Sequence, residues 1–150
     1  MSRTTARAAA MQMIFEKISG GQGGEETLRM VYDELRQDGL PGVNRIEKHE
    51  PDQEDRAYIT AALEGVLAHR EEIDEKIEKT AIGWPIDRMS MVDLTILRLA
   101  IWEIYYEDDV PGNVSIAEAM ELTERFSDPG DKAFVNGILG TILREHEAQA

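Results

Sequence analysis

The chain of 150 residues is long enough for one domain with a hydrophobic core, and several long stretches without Gly or Pro favour an all-α fold. Its formal net charge of −14 argues against a broad nucleic-acid-binding surface, because Lys and Arg usually neutralise the phosphates. The absence of cysteine excludes disulfides, thiolate zinc sites and cysteine nucleophiles. No apolar leader and no apolar run of about 18 residues occurs, so we expect a cytoplasmic protein with no membrane contact.

The N-terminal segment is basic within this acidic chain, because Asp and Glu are absent from Met1 to Phe15 whereas Arg3 and Arg7 lie there. The two arginines are four residues apart, so they project from the same face of a helix. The helix macrodipole opposes positive charge at a helix N-terminus, which favours a phosphate partner for them. The alternative interpretation is an ordinary solvated helix start. Any RNA site in this chain must be local.

Four segments follow in the N-terminal half. The glycine-rich tract 20–24 ends the first helix, and without a preceding strand or a following Gly-Lys-Ser it is predicted to be a linker. A second helix is predicted over Glu25 to Gln37, an exposed connection over Gly39 to Asp52, and the longest helix over Gln53 to Thr80.

Gly83 and Pro85 mark the predicted boundary between two helical bundles of a single domain, about 1–82 and about 83–150. After a short turn or helix, Ser90 is a predicted N-cap, and the helix over Val92 to Tyr105 is apolar on nearly every face. We expect this helix to form the centre of the core.

Arg98 inside the central helix would be costly unless paired, so we expect Glu103 or an acid on the next helix as its partner. Ser115 and Glu118 form a predicted capping box that starts the next helix. A last helix carries a clean apolar stripe that begins at Phe134. The chain is thus predicted to contain about seven helical segments, one of them short.

Motifs of catalysis and metal binding do not occur. There is no Gly-x-Ser-x-Gly, no His-Glu-x-x-His and no local Ser, His and Asp set. The three histidines, His49, His69 and His146, are scattered. We therefore expect neither an enzyme nor a cofactor or metal site.

One ordered set of motifs lies in the last 70 residues and returns near the N-terminus. The motifs are Trp84-Pro85-Ile86-Asp87-Arg88, Ile96-Leu97-Arg98-Leu99-Ala100 with Trp102-Glu103, Pro111, Glu118-Ala119-Met120-Glu121-Leu122, Phe134-Val135-Asn136-Gly137-Ile138-Leu139, and at the N-terminus Ala6-Arg7 and Gln12-Met13-Ile14-Phe15. Taken in this order, they resemble the NusB family.

The resemblance implies a fold of two packed helical bundles and a transcription antitermination factor without a catalytic step. Such proteins associate with NusE, a ribosomal protein of the small subunit, and together they bind boxA-type single-stranded RNA. On ribosomal RNA operons the pair joins other Nus factors on RNA polymerase. Helical surfaces in this family also self-associate, so a homodimer is among the expected assemblies.

The resemblance also suggests contact residues. Arg3 and Arg7 match basic positions of the family's N-terminal segment, and Phe15 matches an aromatic position beside its RNA surface. The family's second RNA contact region corresponds to the run that contains Lys132, Phe134 and Asn136. Arginine and aromatic rings suit single-stranded RNA because they can stack on unpaired bases. Core packing is the alternative interpretation for Phe15 and Phe134.

Asp93 matches an acidic family position implicated in binding NusE, and its alternative interpretation is an ordinary surface charge at a helix start.

Departures from the family pattern motivate a second hypothesis. Thr4 and Thr5 stand where some members carry arginine, Ala133 stands where some carry lysine, and Ala117 where the family usually has asparagine. An acidic helical adapter that kept the scaffold and lost specific RNA binding would show these changes. A third hypothesis relates the chain to the NusB-like domain of RNA methyltransferases, although no methyltransferase domain is present.

Overall fold

A computed structural model describes residues 2–21 and 52–149 of the chain, and these residues form α-helices and 3₁₀ turns. The helices are α1 (Arg3–Ile18), α2 (Gln53–Ala68), α3 (Arg70–Thr80), α4 (Met91–Tyr106), α5 (Gly112–Phe126) and α6 (Lys132–Gln149), with 3₁₀ turns at Ile86–Arg88 and Pro129–Asp131. No strand occurs in this part of the chain, so the all-α prediction is confirmed. The predicted second helix and the connection after it lie outside the described residues.

The chain divides into two compact units, Met1–Glu64 and Gly65–Ala150. The division falls inside α2, which contributes residues to both units. The two bundles that we expect to meet near residue 82 stay a prediction. Within residues 2–21 and 52–149, no helix is long and apolar enough to cross a membrane.

Helix α1 of the first unit begins at a capped end and contains four alanines near its start. The Ser2 side chain accepts a hydrogen bond from the Thr5 backbone N–H at 3.1 Å, which satisfies one of the free donors of the first turn. Its alanines are fully buried: Ala6, Ala8, Ala9 and Ala10. Because alanine has the highest helix propensity and little bulk, this run supports both helix formation and close packing.

The helix predicted over Gln53 to Thr80 is wrong in two respects. It is divided at His69, and the longest helix of residues 2–21 and 52–149 is instead α6, with 18 residues. Helix α2 ends at Ala68, His69 takes φ −108° and ψ 15°, and α3 begins at Arg70. The break is local, since His69 N–H donates to the Gly65 carbonyl at 3.0 Å. The His69 ring stacks on Tyr106 with centroids 4.2 Å apart. Neither Gly nor Pro marks this break, so no local residue pattern predicts it.

Helix α4 is the central helix of the second unit, as the sequence predicts. Twelve of its residues in succession, from Asp93 to Ile104, are buried, and α3, α5 and α6 all pack against it. The predicted cap is confirmed, because the Ser90 side chain accepts a hydrogen bond from the Asp93 backbone N–H at 3.0 Å.

Arg98 on α4 is paired, but its partner is Asp74 on the preceding helix, not Glu103 or an acid on the following one. Arg98 Nε donates to Asp74 Oδ1 at 2.8 Å and Nη2 donates to Asp74 Oδ2 at 3.0 Å. Arg98 is 2% exposed, so this two-pronged pair holds its charge inside the unit. Sequence proximity misled the prediction, because Asp74 lies 24 residues before Arg98 along the chain.

The predicted capping box at Ser115 and Glu118 is wrong, because α5 already begins at Gly112 after Pro111. Ser115 lies one turn inside the helix and is buried. Its hydroxyl donates to Glu103 Oε1 on α4 at 2.8 Å. The serine therefore joins two helices and does not cap one.

Gly65 and Trp102 meet so closely that no side chain fits at position 65. A Cβ atom built on Gly65 would overlap the indole Nε1, and the indole Cε2 would lie 2.8 Å away. Trp102 is 4% exposed, so the ring has little freedom to move aside. This glycine is required by packing within the second unit.

We expect Asp74→Ala to lower the free energy of unfolding by about 3 kcal/mol, because it leaves the buried Arg98 charge unpaired. The matched control is Arg70→Ala, since Arg70 Nε lies 4.0 Å from Asp74 Oδ2 with 46% of its side chain exposed. The control should lose at most about 1 kcal/mol. Urea unfolding followed by circular dichroism measures both. Equal losses in the two variants would contradict a dominant role for the Arg98 pair.

We expect Gly65→Ala to cost about 1–3 kcal/mol through overpacking against Trp102. Gly137→Ala is the matched control, because no atom lies within 4 Å of a Cβ built on Gly137 in α6. The control should gain up to about 1 kcal/mol from helix propensity. Urea denaturation midpoints compare the two variants, and a Gly65→Ala protein as stable as the parent would disprove the steric constraint.

Candidate nucleic-acid and partner interface

The two N-terminal arginines differ in exposure. Arg3 is exposed on α1, and its guanidinium carbon lies 4.5 Å from the centroid of the Tyr58 ring, which is a cation–π distance. Arg7 is only 5% exposed and interacts with other residues of the protein. Phe15 is partly exposed. Arg3 is therefore the candidate of this segment that a phosphate can reach on the free protein.

The C-terminal candidates lie at the start of α6. Lys132 Nζ donates to Glu124 Oε2 at 2.7 Å, and this contact raises the pKa of Lys132. Its side chain is 43% exposed, so a phosphate could replace Glu124 at small cost. Phe134 is partly exposed, whereas Asn136 is exposed. Residues two apart on a helix do not face the same side, so these two contact different surroundings.

The N-terminal candidates belong to the first compact unit and the C-terminal candidates to the second. The RNA roles of these six residues stay predictions: Arg3, Arg7, Phe15, Lys132, Phe134 and Asn136.

Asp93 is not an ordinary surface charge, because it is 4% exposed near the start of α4. The Ser127 hydroxyl donates to Asp93 Oδ1 at 2.6 Å. A hydrogen bond to the Asp93 side chain, with burial and the charges of Asp93 and Asp128, raises the pKa of Asp131 to about 6. The predicted role of Asp93 in binding NusE stays a prediction. The contacts of Asp93 hold the turn that precedes Lys132.

That turn, residues 127–131, was not recognised as part of the site. Asp128 accepts a hydrogen bond from the Gly130 backbone N–H at 2.9 Å, and the Asp131 N–H donates to the Asp128 carbonyl at 2.8 Å. The Ser-Asp-Pro-Gly sequence predicts a turn and could have indicated this element. What the sequence could not indicate is that the turn closes onto Asp93, 34 residues earlier.

Trp84 was also missed as a candidate residue. It is 51% exposed, and its ring centroid lies 6.2 Å from that of Phe134. The sequence signal was its position between Gly83 and Pro85, in a connection and not in a helix. Tryptophan is mostly buried in folded proteins, which makes a half-exposed one informative.

A cavity of about 440 Å³ lies elsewhere in the second unit. Glu107, Asp108 and Glu147 contribute to its lining, so a phosphate group would meet three carboxylates there. This cavity is unsuited to RNA. In the described ranges 2–21 and 52–149, no group of three or more His, Cys, Asp or Glu side chains could hold a metal ion.

The raised pKa of Asp131 predicts a pH dependence of stability. Its usual pKa is 3.8 and its folded value is about 6, so the folded protein binds this proton more tightly than the unfolded chain. The contribution is present below about pH 4 and is lost as the pH rises through 6. We expect Asp131→Asn to remove that decline. Melting temperatures from pH 4 to 7 test this, and identical pH profiles of parent and variant would contradict it.

Comparisons with known proteins agree along nearly the whole chain. The sequence pattern of the NusB family matches residues 4–144. The transcription antitermination protein NusB of Clostridium botulinum (strain Kyoto / Type A2) is 35% identical over 143 residues, 95% of this chain and 100% of the relative. That of Symbiobacterium thermophilum is 38% identical over 145 residues, 96% of this chain and 90% of the relative.

Solved structures show the same fold. Thermotoga maritima NusB matches with a TM-score of 0.73 and 26% identity, over 97% of this chain and 92% of that one. A chain in the crystal structure of antitermination factors NusB and NusE in complex with dsRNA matches with a TM-score of 0.72, over 95% of this chain and 96% of that one. At 24% identity the second likeness shows the fold alone. From the family pattern and the full-length relatives, the chain belongs to the NusB family.

Proposed function

We propose that this protein is a transcription antitermination factor that binds boxA-type single-stranded RNA together with NusE on ribosomal RNA operons. The observation that carries the proposal is the match to antitermination proteins over nearly the full length of both chains. A structural neighbour contains NusB, NusE and dsRNA, which supports the same classes of partner for this chain. The protein assembles complexes and is assigned no catalytic step.

The charges favour a small RNA contact over a broad one. With a net charge of −14, most of the surface repels phosphate, whereas Arg3 lies in a segment free of acids. We take Arg3, Lys132 and one further cation each to neutralise one phosphate. A plot of the logarithm of the binding constant against the logarithm of the salt concentration then has a slope of only about −2. Such a shallow slope leaves much of the affinity to base stacking and to NusE.

The wider assembly follows from the same proposal. The pair with NusE would join other Nus factors on RNA polymerase, which places the protein in the bacterial cytoplasm where transcription occurs. Asp93 is proposed to support NusE binding through the turn that it holds, because its own carboxylate is already bonded to Ser127. A homodimer is the other assembly that we propose for this chain, and its interface stays a prediction.

We expect the protein with NusE to prefer single-stranded boxA RNA over a scrambled strand and over a boxA duplex, measured by fluorescence anisotropy. Arg3→Ala should weaken boxA binding by about tenfold, because a charge-assisted phosphate contact is lost from the surface. Lys79→Ala is the matched control, since Lys79 is an exposed cation on α3 and is assigned no RNA contact. The control should bind as the parent does.

The Arg7→Ala variant needs a stability control, because Arg7 is only 5% exposed and its removal can destabilise the fold. Its thermal stability must be measured beside its RNA affinity, so that loss of fold is not taken for loss of contact. If neither the protein nor its mixture with NusE prefers boxA, the proposed function is wrong. If the protein binds NusE but neither form prefers boxA RNA, the protein is instead the acidic helical adapter of the second hypothesis.

A further inference from the structure

Trp84 stands out among the aromatic residues of the described chain. Half of its surface is exposed, whereas the other tryptophan, Trp102, is 4% exposed. Its neighbour Ile82 is 89% exposed, so this connection leaves two large apolar side chains in solvent. Exposing an indole forgoes a large hydrophobic contribution to folding, so Trp84 is a candidate contact residue for a partner.

The ring beside Trp84 is that of Phe134. The two centroids are 6.2 Å apart and the ring planes are tilted by 60°, so the rings touch without stacking on each other. The tilt leaves part of the indole unpaired with protein, in agreement with its exposure. Phe134 belongs to the run that resembles the family's second RNA contact region. The aromatic pair thus extends a contact that is already proposed.

The polar groups of these two segments suit a nucleotide. Arg88 is exposed, and its guanidinium makes no hydrogen bond or ion pair with any residue that the structure describes. Asn136 is exposed, and its amide has no side-chain hydrogen bond in the same described ranges. Asp87 is exposed beside Arg88 and limits the attraction of phosphate. Most of the binding energy must then come from stacking.

We propose that Trp84 is a stacking site for an unpaired RNA base, with Phe134 beside it and Arg88 for the adjoining phosphate. Proteins that bind single-stranded RNA stack its bases on accessible aromatic rings, because every base has a π face. An unpaired arginine nearby can bind the phosphate of the same strand. This inference rests on the proposed function. The inference adds Trp84, in the second unit, as a residue that binds a base. The arginines Arg3 and Arg7 belong to the first unit.

Alanine and phenylalanine variants test the stacking role. In anisotropy titrations with boxA RNA and NusE, Trp84→Ala should weaken binding at least fivefold, the lower bound for one base on a ring. Trp84→Phe keeps a ring and should recover most of the loss. Ile82→Ala is the matched control, because it removes an even more exposed apolar side chain that has no ring. Circular dichroism checks that each variant is folded.

Fluorescence provides an independent measurement. RNA bound by the protein alone should quench the Trp84 emission, because a stacked base contacts the indole directly. The buried Trp102 contributes a constant background emission. The Trp84→Phe variant measures this background by itself, because Trp102 is then its only tryptophan. A single-stranded oligouridine serves as a second probe, since stacking tolerates any base.

The outcomes separate this inference from the proposed function. If boxA binding is normal in Trp84→Ala, the stacking site is wrong and the antitermination function stands. If boxA is not preferred but both RNAs quench Trp84, the function fails and the stacking site stands. If Trp84→Ala and Ile82→Ala both lose NusE while RNA binding is kept, the surface binds protein and the inference is overturned. An absence of quenching by either RNA overturns it as well.

Discussion

The pair formed by Arg98 and Asp74 constrains the second unit more than any other interaction described. Arg98 lies on the helix against which α3, α5 and α6 pack, and its side chain is 2% exposed. A charge at such a position must be compensated, and Asp74 compensates it through two parallel hydrogen bonds. The hydrophobic contacts between α3 and α4 already restrict the rotation of the two helices. The pair restricts that rotation, because both bonds need one orientation of the carboxylate.

A second set of contacts connects the two predicted functions within this unit. Asp93, the predicted partner residue, binds the turn 127–131 through Ser127, and the turn leads directly into Lys132. A change at Asp93 therefore reaches the start of α6 through a hydrogen bond of 2.6 Å. Loss of RNA affinity in an Asp93 variant would not by itself identify a direct contact. The predicted roles in protein binding and RNA binding are thus physically linked.

The sequence predicted those elements whose signals are local. The apolar run of α4 and its Ser90 cap depend on neighbours within a few residues, and both are confirmed. The partner of Arg98, the role of Ser115 and the break at His69 depend on contacts between helices, which periodicity does not encode. In the same way, helical spacing places Arg3 and Arg7 on one face but does not predict that only Arg3 is exposed. Trp84 was missed because its exposure depends on how the connection after α3 is folded.

The close approach of Gly65 and Trp102 has a consequence for how the sequence can diverge. A single step away from glycine at position 65 meets the indole, so that step lowers stability unless the residue at position 102 has already become smaller. A single step at position 102 opens a cavity in the core unless position 65 grows afterwards. The two positions are therefore expected to change together among descendants of this chain, through a less stable intermediate whichever of them changes first.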